Sequence, residues 1–242
     1  MNINILECLC PDIIRHIASY LPVTSLRIMI AESMQFNMHV YKHAEFWTTY
    51  TFIYQCTIHD AIINNDEQQT RFLLSVGVNP NSPDDRNNTP LITATARPTP
   101  NINIIRALLQ KGANINAQNT NFYSALMLAS KNDTDGEIVR HLLENNANIR
   151  LLNFKGESAL FVALYYNNIK IIKILLEYEP NINYYYKQLG TALIYAVDKQ
   201  CSFTILQMLM DKHADVKITL GGWSIFNSDH FIEFYKSCKL AE

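Results

Sequence analysis

Between residues 55 and 222, apolar positions recur in two alternating short blocks, and each block carries helical spacing. The first block reads NTPLITATA, YSALMLAS, ESALFVAL and GTALIYAV. Its hydroxyl anchors, Thr89, Ser124, Ser158 and Thr191, lie 35, 34 and 33 residues apart. The second block reads IIRALLQKGANIN, IVRHLLENNANIR, IIKILLEYEPNIN and ILQMLMDKHADVK, with an earlier QTRFLLSVGVNPN in the same series. A near-fixed period of this length predicts a stack of repeated supersecondary units rather than one globular core.

Each unit reads as helix, tight turn, helix and extended arm. Thr89 or its serine equivalents can cap the first helix, with Pro90 at a position where a missing N–H costs nothing. Gly77 and Gly112, and Asn146 in their place, suit a left-handed residue after the second helix. Small residues fall where two helices must approach closely. A single unit cannot bury its apolar face, whereas about five stacked units make a continuous core.

The run Thr89-Pro90-Leu91-Ile92-Thr93-Ala94-Thr95 resembles the signature of the ankyrin-repeat family. The resemblance covers about residues 55–222, with units near 55–87, 88–122, 123–156, 157–189 and 190–222. Three departures are visible. The Gly-His turn between helices gives way to residues such as Asn167-Asn168 and Lys199-Gln200, and the second unit carries an irregular RPTPN at 97–101. The first unit keeps only Ala61 and Asn65-Asp66 of its first helix. The tail 223–242 is expected to be a degenerate sixth unit or a helical cap over the last apolar face. The fold class expected is all-α: an N-terminal three-helix segment, then the repeat solenoid with its C-terminal cap.

Residues 9–47 do not share the repeat. Pro11 can open a helix whose Ile13, Ile14, Ile17 and Leu21 recur on one face, and Pro22 ends it. Thr24 or Ser25 can cap a second helix through LRIMI, and a third would run through FNMHVYKH to Phe46-Trp47. Three helices in some 40 residues bury too little apolar surface to stand alone. Part of that surface is expected to pack on the repeats or on another protein.

This segment resembles the F-box family. Leu9-Cys10-Pro11-Asp12-Ile13 matches the family's opening, and Ile17-Ala18-Ser19-Tyr20-Leu21-Pro22 its middle, without a gap. Leu26, Met29, Ser33 and Phe36 follow in register, and Phe46-Trp47 closes the motif. Cys10 stands where proline is usual, and Glu32 where an apolar residue is usual. The resemblance, over a domain at 1–50, implies a substrate receptor of an SCF-type ubiquitin ligase. Leu9, Pro11, Asp12, Ile13, Ile17, Leu21, Pro22, Leu26, Met29, Phe36 and Trp47 would then bind a Skp-type adaptor, and through it cullin and RING subunits. The competing reading of 9–47 is a helical cap on the first repeat, in a binding scaffold or inhibitor with no ubiquitin role.

Composition narrows the chemistry. At 48% apolar and 17% charged, the chain is that of a soluble folded protein. Formal net charge is −2 and the lysines and arginines are scattered, so nucleic-acid or anionic-membrane binding is not expected. No apolar run reaches the ~20 residues that cross a bilayer. The start MNINILECLC lacks the basic region of a secretory signal, and the end CKLAE is not a prenylation box. Cys8, Cys10, Cys56, Cys201 and Cys238 are odd in number and widely spaced, which fits a reducing cytosol rather than a disulfide framework. Cys8 and Cys10 with His16 lack a second ligand pair, so neither metal nor cofactor is expected.

No metalloprotease, phosphate-loop or serine-hydrolase motif occurs. Cys201 and His213 fall at repeat-surface or turn positions and form no nucleophilic pair, so a non-catalytic protein is expected. The remaining signal is aromatic. Tyr123, Phe154, Tyr185 and Tyr186 lie in successive arms, and Tyr165-Tyr166 follow a first helix. These six are expected to point outward and bind a protein target, because aromatic side chains are favoured interface anchors. Tyr184 is expected to alternate inward. The opposing reading is that the rings only pack between arms. An Asn- and Ile-rich composition fits a bacterial or viral effector acting in a host cytosol.

Overall fold

The computed structural model describes residues 58–239, apart from 76, 179, 180, 188 and 223. The whole F-box-like segment, including the eleven residues expected to meet an adaptor, lies outside the described residues, as do Cys8, Cys10 and His16. The chain divides after Thr57, and the described residues all belong to the unit that begins at Ile58.

Helical residues 58–63 precede α1 (Glu67–Ser75). Four further pairs follow: α2 (Pro90–Ala96) with α3 (Ile102–Gln110), α4 (Ala125–Asn132) with α5 (Glu137–Glu144), α6 (Ala159–Tyr165) with α7 (Ile169–Tyr178), and α8 (Ala192–Asp198) with α9 (Phe203–Asp211). First helices pack on first helices and second on second. Among the described residues there is no strand, only isolated antiparallel bridges at Gln118–Ser124 and Tyr186–Gly190.

Thr89, Ser124 and Thr191 accept hydrogen bonds from the backbone N–H three residues on, at Ile92, Met127 and Ile194. They satisfy helix donors that would otherwise be buried without partners. Ser158 holds the same position without that bond. Five residues after each anchor sit Ala94, Ala129, Ala163 and Ala196, all fully buried. Small side chains here let adjacent first helices approach. The hydroxyls of Thr95 and Ser130 are buried one residue later and donate to Leu91 O and Leu126 O, so no polar group is stranded.

The second helices end alike. Gly77, Gly112, Asn146 and His213 have φ of 94°, 83°, 65° and 60°, and the next residue's N–H bonds back to the helix, as Ala113 does to Leu108 O. The turn between helices also keeps its left-handed residue where the expected Gly-His is missing: Asn65, Asn167 and Gln200 have φ of 59°, 54° and 53°. RPTPN in the second unit is different. Arg97 there extends its guanidinium back to the carbonyls of Ile62 and Ile63 in the preceding unit.

Arms are laced by asparagine. Asn81, Asn116 and Asn183 each accept from a backbone N–H of the next arm, at Asn114, Asn148 and Asp215, within 2.6–2.7 Å. The tail begins as a sixth unit: Ser224, 33 residues after Thr191, accepts from Phe226 N. Its helix then shrinks to a 3-10 turn, Ile225–Asn227, before α10 (Asp229–Lys239). Buried Phe234 lies beside Phe203 of α9 and against buried Phe231, and His230 Nε2 donates to Cys201 O at 2.7 Å. The described part of the tail is thus a serine-capped 3-10 turn followed by a helix that touches Phe203.

Candidate functional site: the aromatic face of the third and fourth repeats

The stretch from each arm tip to the next first helix positions the expected target residues. Asp84, Asn119 and Asn153 all lie five residues before an anchor, and each turns its side-chain oxygen onto two backbone N–H groups of its own tip. Phe154 follows Asn153 directly and is carried out to solvent, 59% exposed. Tyr123, just before Ser124, is half-buried and meets the Phe154 ring edge-on at 6.4 Å. At the end of α6, Tyr165 and Tyr166 are exposed and pack edge to face at 5.1 Å.

Tyr123, Tyr165 and Tyr166 share one pocket of about 110 Å³. Met127, Leu128 and Lys131 of α4 form one wall, Val162 of α6 another, and Lys155 and Glu157 of the arm complete it. Lys131 Nζ stands 5.1 Å from the Tyr166 ring centre, and Lys155 Nζ 5.7 Å from that of Phe154. Neither lysine forms an ion pair among the described residues. The Glu157 carboxylate is committed inward: it accepts from Asn153 Nδ2 at 2.8 Å and from the Tyr195 hydroxyl at 3.1 Å. A cleft this small suits a single side chain, since pockets for drug-sized ligands run to about 300–1,000 Å³.

The fourth arm departs from expectation. Tyr186, expected to point outward, is only 9% exposed, and its ring packs 4.7 Å from Phe161. It stands five residues before Thr191, where the other arms hold their inward-turned Asp or Asn. An aromatic in that inward position fills the core. Tyr184, expected inward, is 46% exposed. Tyr185 is exposed as expected, but it does not line the pocket. The face thus gathers Tyr123, Phe154, Tyr165 and Tyr166, with Tyr185 apart and Tyr186 excluded.

Lys131 and Lys155 were not among the expected residues. Lys131 occupies, seven residues after Ser124, the position Tyr165 holds after Ser158. That register was the available signal. Cys201 follows the turn residue Gln200, as expected of a turn position, but it is 3% exposed rather than at the surface. Its thiol donates to Leu164 O at 3.3 Å, and burial pushes it up to about 11. Thiol rather than thiolate is therefore the form present at neutral pH. No group of three or more His, Cys, Asp or Glu is placed to hold a metal ion among the described residues. No helix among them is long and apolar enough to cross a membrane.

The family model described as ankyrin repeats (three copies) matches residues 42–119, 58–151 and 126–219. The chain belongs to the ankyrin-repeat family. Its repeats are a protein-interaction module. The match starts at residue 42, ahead of the expected first ankyrin unit, so Phe46 and Trp47 fall inside it. The F-box landmarks before that point rest on sequence register alone. A search of curated proteins finds no match for the chain.

Proposed function

We propose that this ankyrin-repeat protein is a non-catalytic substrate receptor of an SCF-type ubiquitin ligase. Residues 9–47 hold a Skp-type adaptor, which joins cullin and RING subunits, and the repeats hold a protein target. The protein forms no bond itself. It raises the effective concentration of a target lysine near an activated ubiquitin thioester. Its setting is a eukaryotic cytosol, that of a host if the chain is a pathogen effector.

One observation carries the adaptor half: the gapless spacing from Leu9 and Pro11 through Leu21 and Pro22 to Trp47. The target half draws on the exposed rings of Phe154, Tyr165 and Tyr166 gathered on one face, more apolar surface than the stacking of repeats requires.

The test is reconstitution. The purified chain, mixed with a Skp-type adaptor and a cullin amino-terminal domain, should elute with both as one complex. If the chain elutes alone, the ligase reading fails and a binding module with a helical cap remains. A ubiquitin thioester trapped on any of its cysteines would instead make it an enzyme.

A further inference from the structure

The charges of the described unit are unevenly distributed. On the second helices, arginine and glutamate pair: Arg71 with Glu67, Arg106 with Glu137, and Arg140 with Glu177. The last two bridge neighbouring repeats. At the aromatic pocket the cations have no such partners. Lys131 and Lys155 come from the first helix and the arm of the third repeat, line the same cleft, and each stands over an aromatic ring rather than a carboxylate.

The one carboxylate in the pocket, Glu157, is buried and spent on Asn153 and Tyr195. Counting it, the cleft carries a formal charge of +1 in a chain whose net charge is −2. Aromatic walls lower the local dielectric, so a carboxylate brought there is held more strongly than at an open surface. The rings add apolar area for a neighbouring side chain, and at about 110 Å³ the cleft admits one acidic side chain but no folded element.

We propose that this pocket anchors an acidic segment of a protein partner. A glutamate or aspartate carboxylate of that segment meets Lys131 and Lys155, and an adjacent apolar side chain rests on Phe154 and Tyr165. This anchor rests on the target-binding half of the proposed function and is independent of the adaptor half. It gives the repeats a chemical preference, for carboxylate beside an apolar residue, where exposed aromatics alone would accept any apolar segment.

The probe is a library of random 12-residue peptides, selected on the full chain without an adaptor. Selected peptides should carry Asp or Glu next to an apolar residue. Replacing that acid by its amide should weaken binding at least fivefold, and so should raising the salt to 0.5 M, which shortens charge interactions to a few ångströms. Lys131→Glu with Lys155→Glu should weaken it at least tenfold. Both lysines are exposed, and unchanged helix content by circular dichroism confirms that the variant is folded.

Acid-free peptides, or acidic peptides indifferent to the charge reversal, would overturn the proposal, as would a library that yields no binder. Phe154→Ala separates the acidic anchor from the binding face as a whole. If selected peptides are acid-free yet lost on Phe154→Ala, the aromatic face stands as a binding surface and the acidic anchor falls. If neither change affects any selected peptide, both fall.

Discussion

Tyr195 of the fifth repeat donates its hydroxyl hydrogen bond to the carboxylate of Glu157 in the fourth, 3.1 Å away and buried. The bond ties the floor of the aromatic pocket to the next first helix. Burial, reinforced by the Glu157 charge and this bond, holds the Tyr195 hydroxyl well above its ordinary ionisation range. Tyr195→Phe leaves one oxygen of a buried carboxylate without its donor. It should destabilise the chain by about 1–3 kcal/mol at neutral pH, read from the urea midpoint.

The same bond sets an alkaline limit. In the unfolded chain a tyrosine ionises near pH 10, while Tyr195 in the folded chain keeps its proton to higher pH. From about pH 10 upward the folded state therefore binds more protons, and stability falls as pH rises, by up to about 1.4 kcal/mol per pH unit. Burial of Cys201 adds a similar fall between its ordinary range and about 11. Tyr195→Phe should remove its own share and keep that of Cys201. Equal alkaline slopes in the two proteins would contradict the assignment.

Two glycines share a backbone conformation but not a neighbourhood. Gly112 and Gly136 have φ of 83° and 82°, yet a Cβ on Gly112 would meet nothing, whereas one on Gly136 would come within 2.3 Å of Ile174 Cδ1. Gly112→Ala should cost only the left-handed strain, about 1–2 kcal/mol. Gly136→Ala should cost about 1 kcal/mol more, because Ile174 is packed in the core and must leave its rotamer. Thermal or urea unfolding of the pair checks the ordering.

The aromatic face should act separately from the proposed adaptor site. Phe154→Ala with Tyr185→Ala should weaken target binding at least tenfold, about 1.4 kcal/mol, and leave adaptor affinity and helix content unchanged. Both rings are exposed, so little packing is lost. Unchanged target affinity would return these residues to a purely structural role.

Most of the fold was legible because repeats restate their rules. Thr89, Ser124 and Thr191 cap as expected, and Gly77, Gly112 and Asn146 take the left-handed positions assigned to them. Asn167 and Gln200 show that the missing Gly-His turn changes the residue and not the geometry.

The site was less legible. In the arms, a residue's direction is set by its distance from the next anchor. Tyr184, Tyr185 and Tyr186 are chemically alike, and only the comparison with Asp84, Asn119 and Asn153 reveals that Tyr186 is the one turned inward. Lys131 and Lys155 lie 24 positions apart within the third repeat, and the cleft they line is completed by Val162, Tyr165 and Tyr166 of the fourth. A cleft that is completed only across a repeat interface leaves no local motif.

The central claim is that residues 9–47 grip a Skp-type adaptor, and isothermal titration of the adaptor into the purified full chain tests it most directly. The wild-type chain should bind at one-to-one stoichiometry. Leu9→Ala with Pro11→Ala should lose most of that affinity, since truncating an apolar anchor costs about 2 kcal/mol or more, and should leave the helical signal of the repeats intact. No measurable heat or affinity with the wild-type chain, or equal affinity in the double variant, would contradict the account.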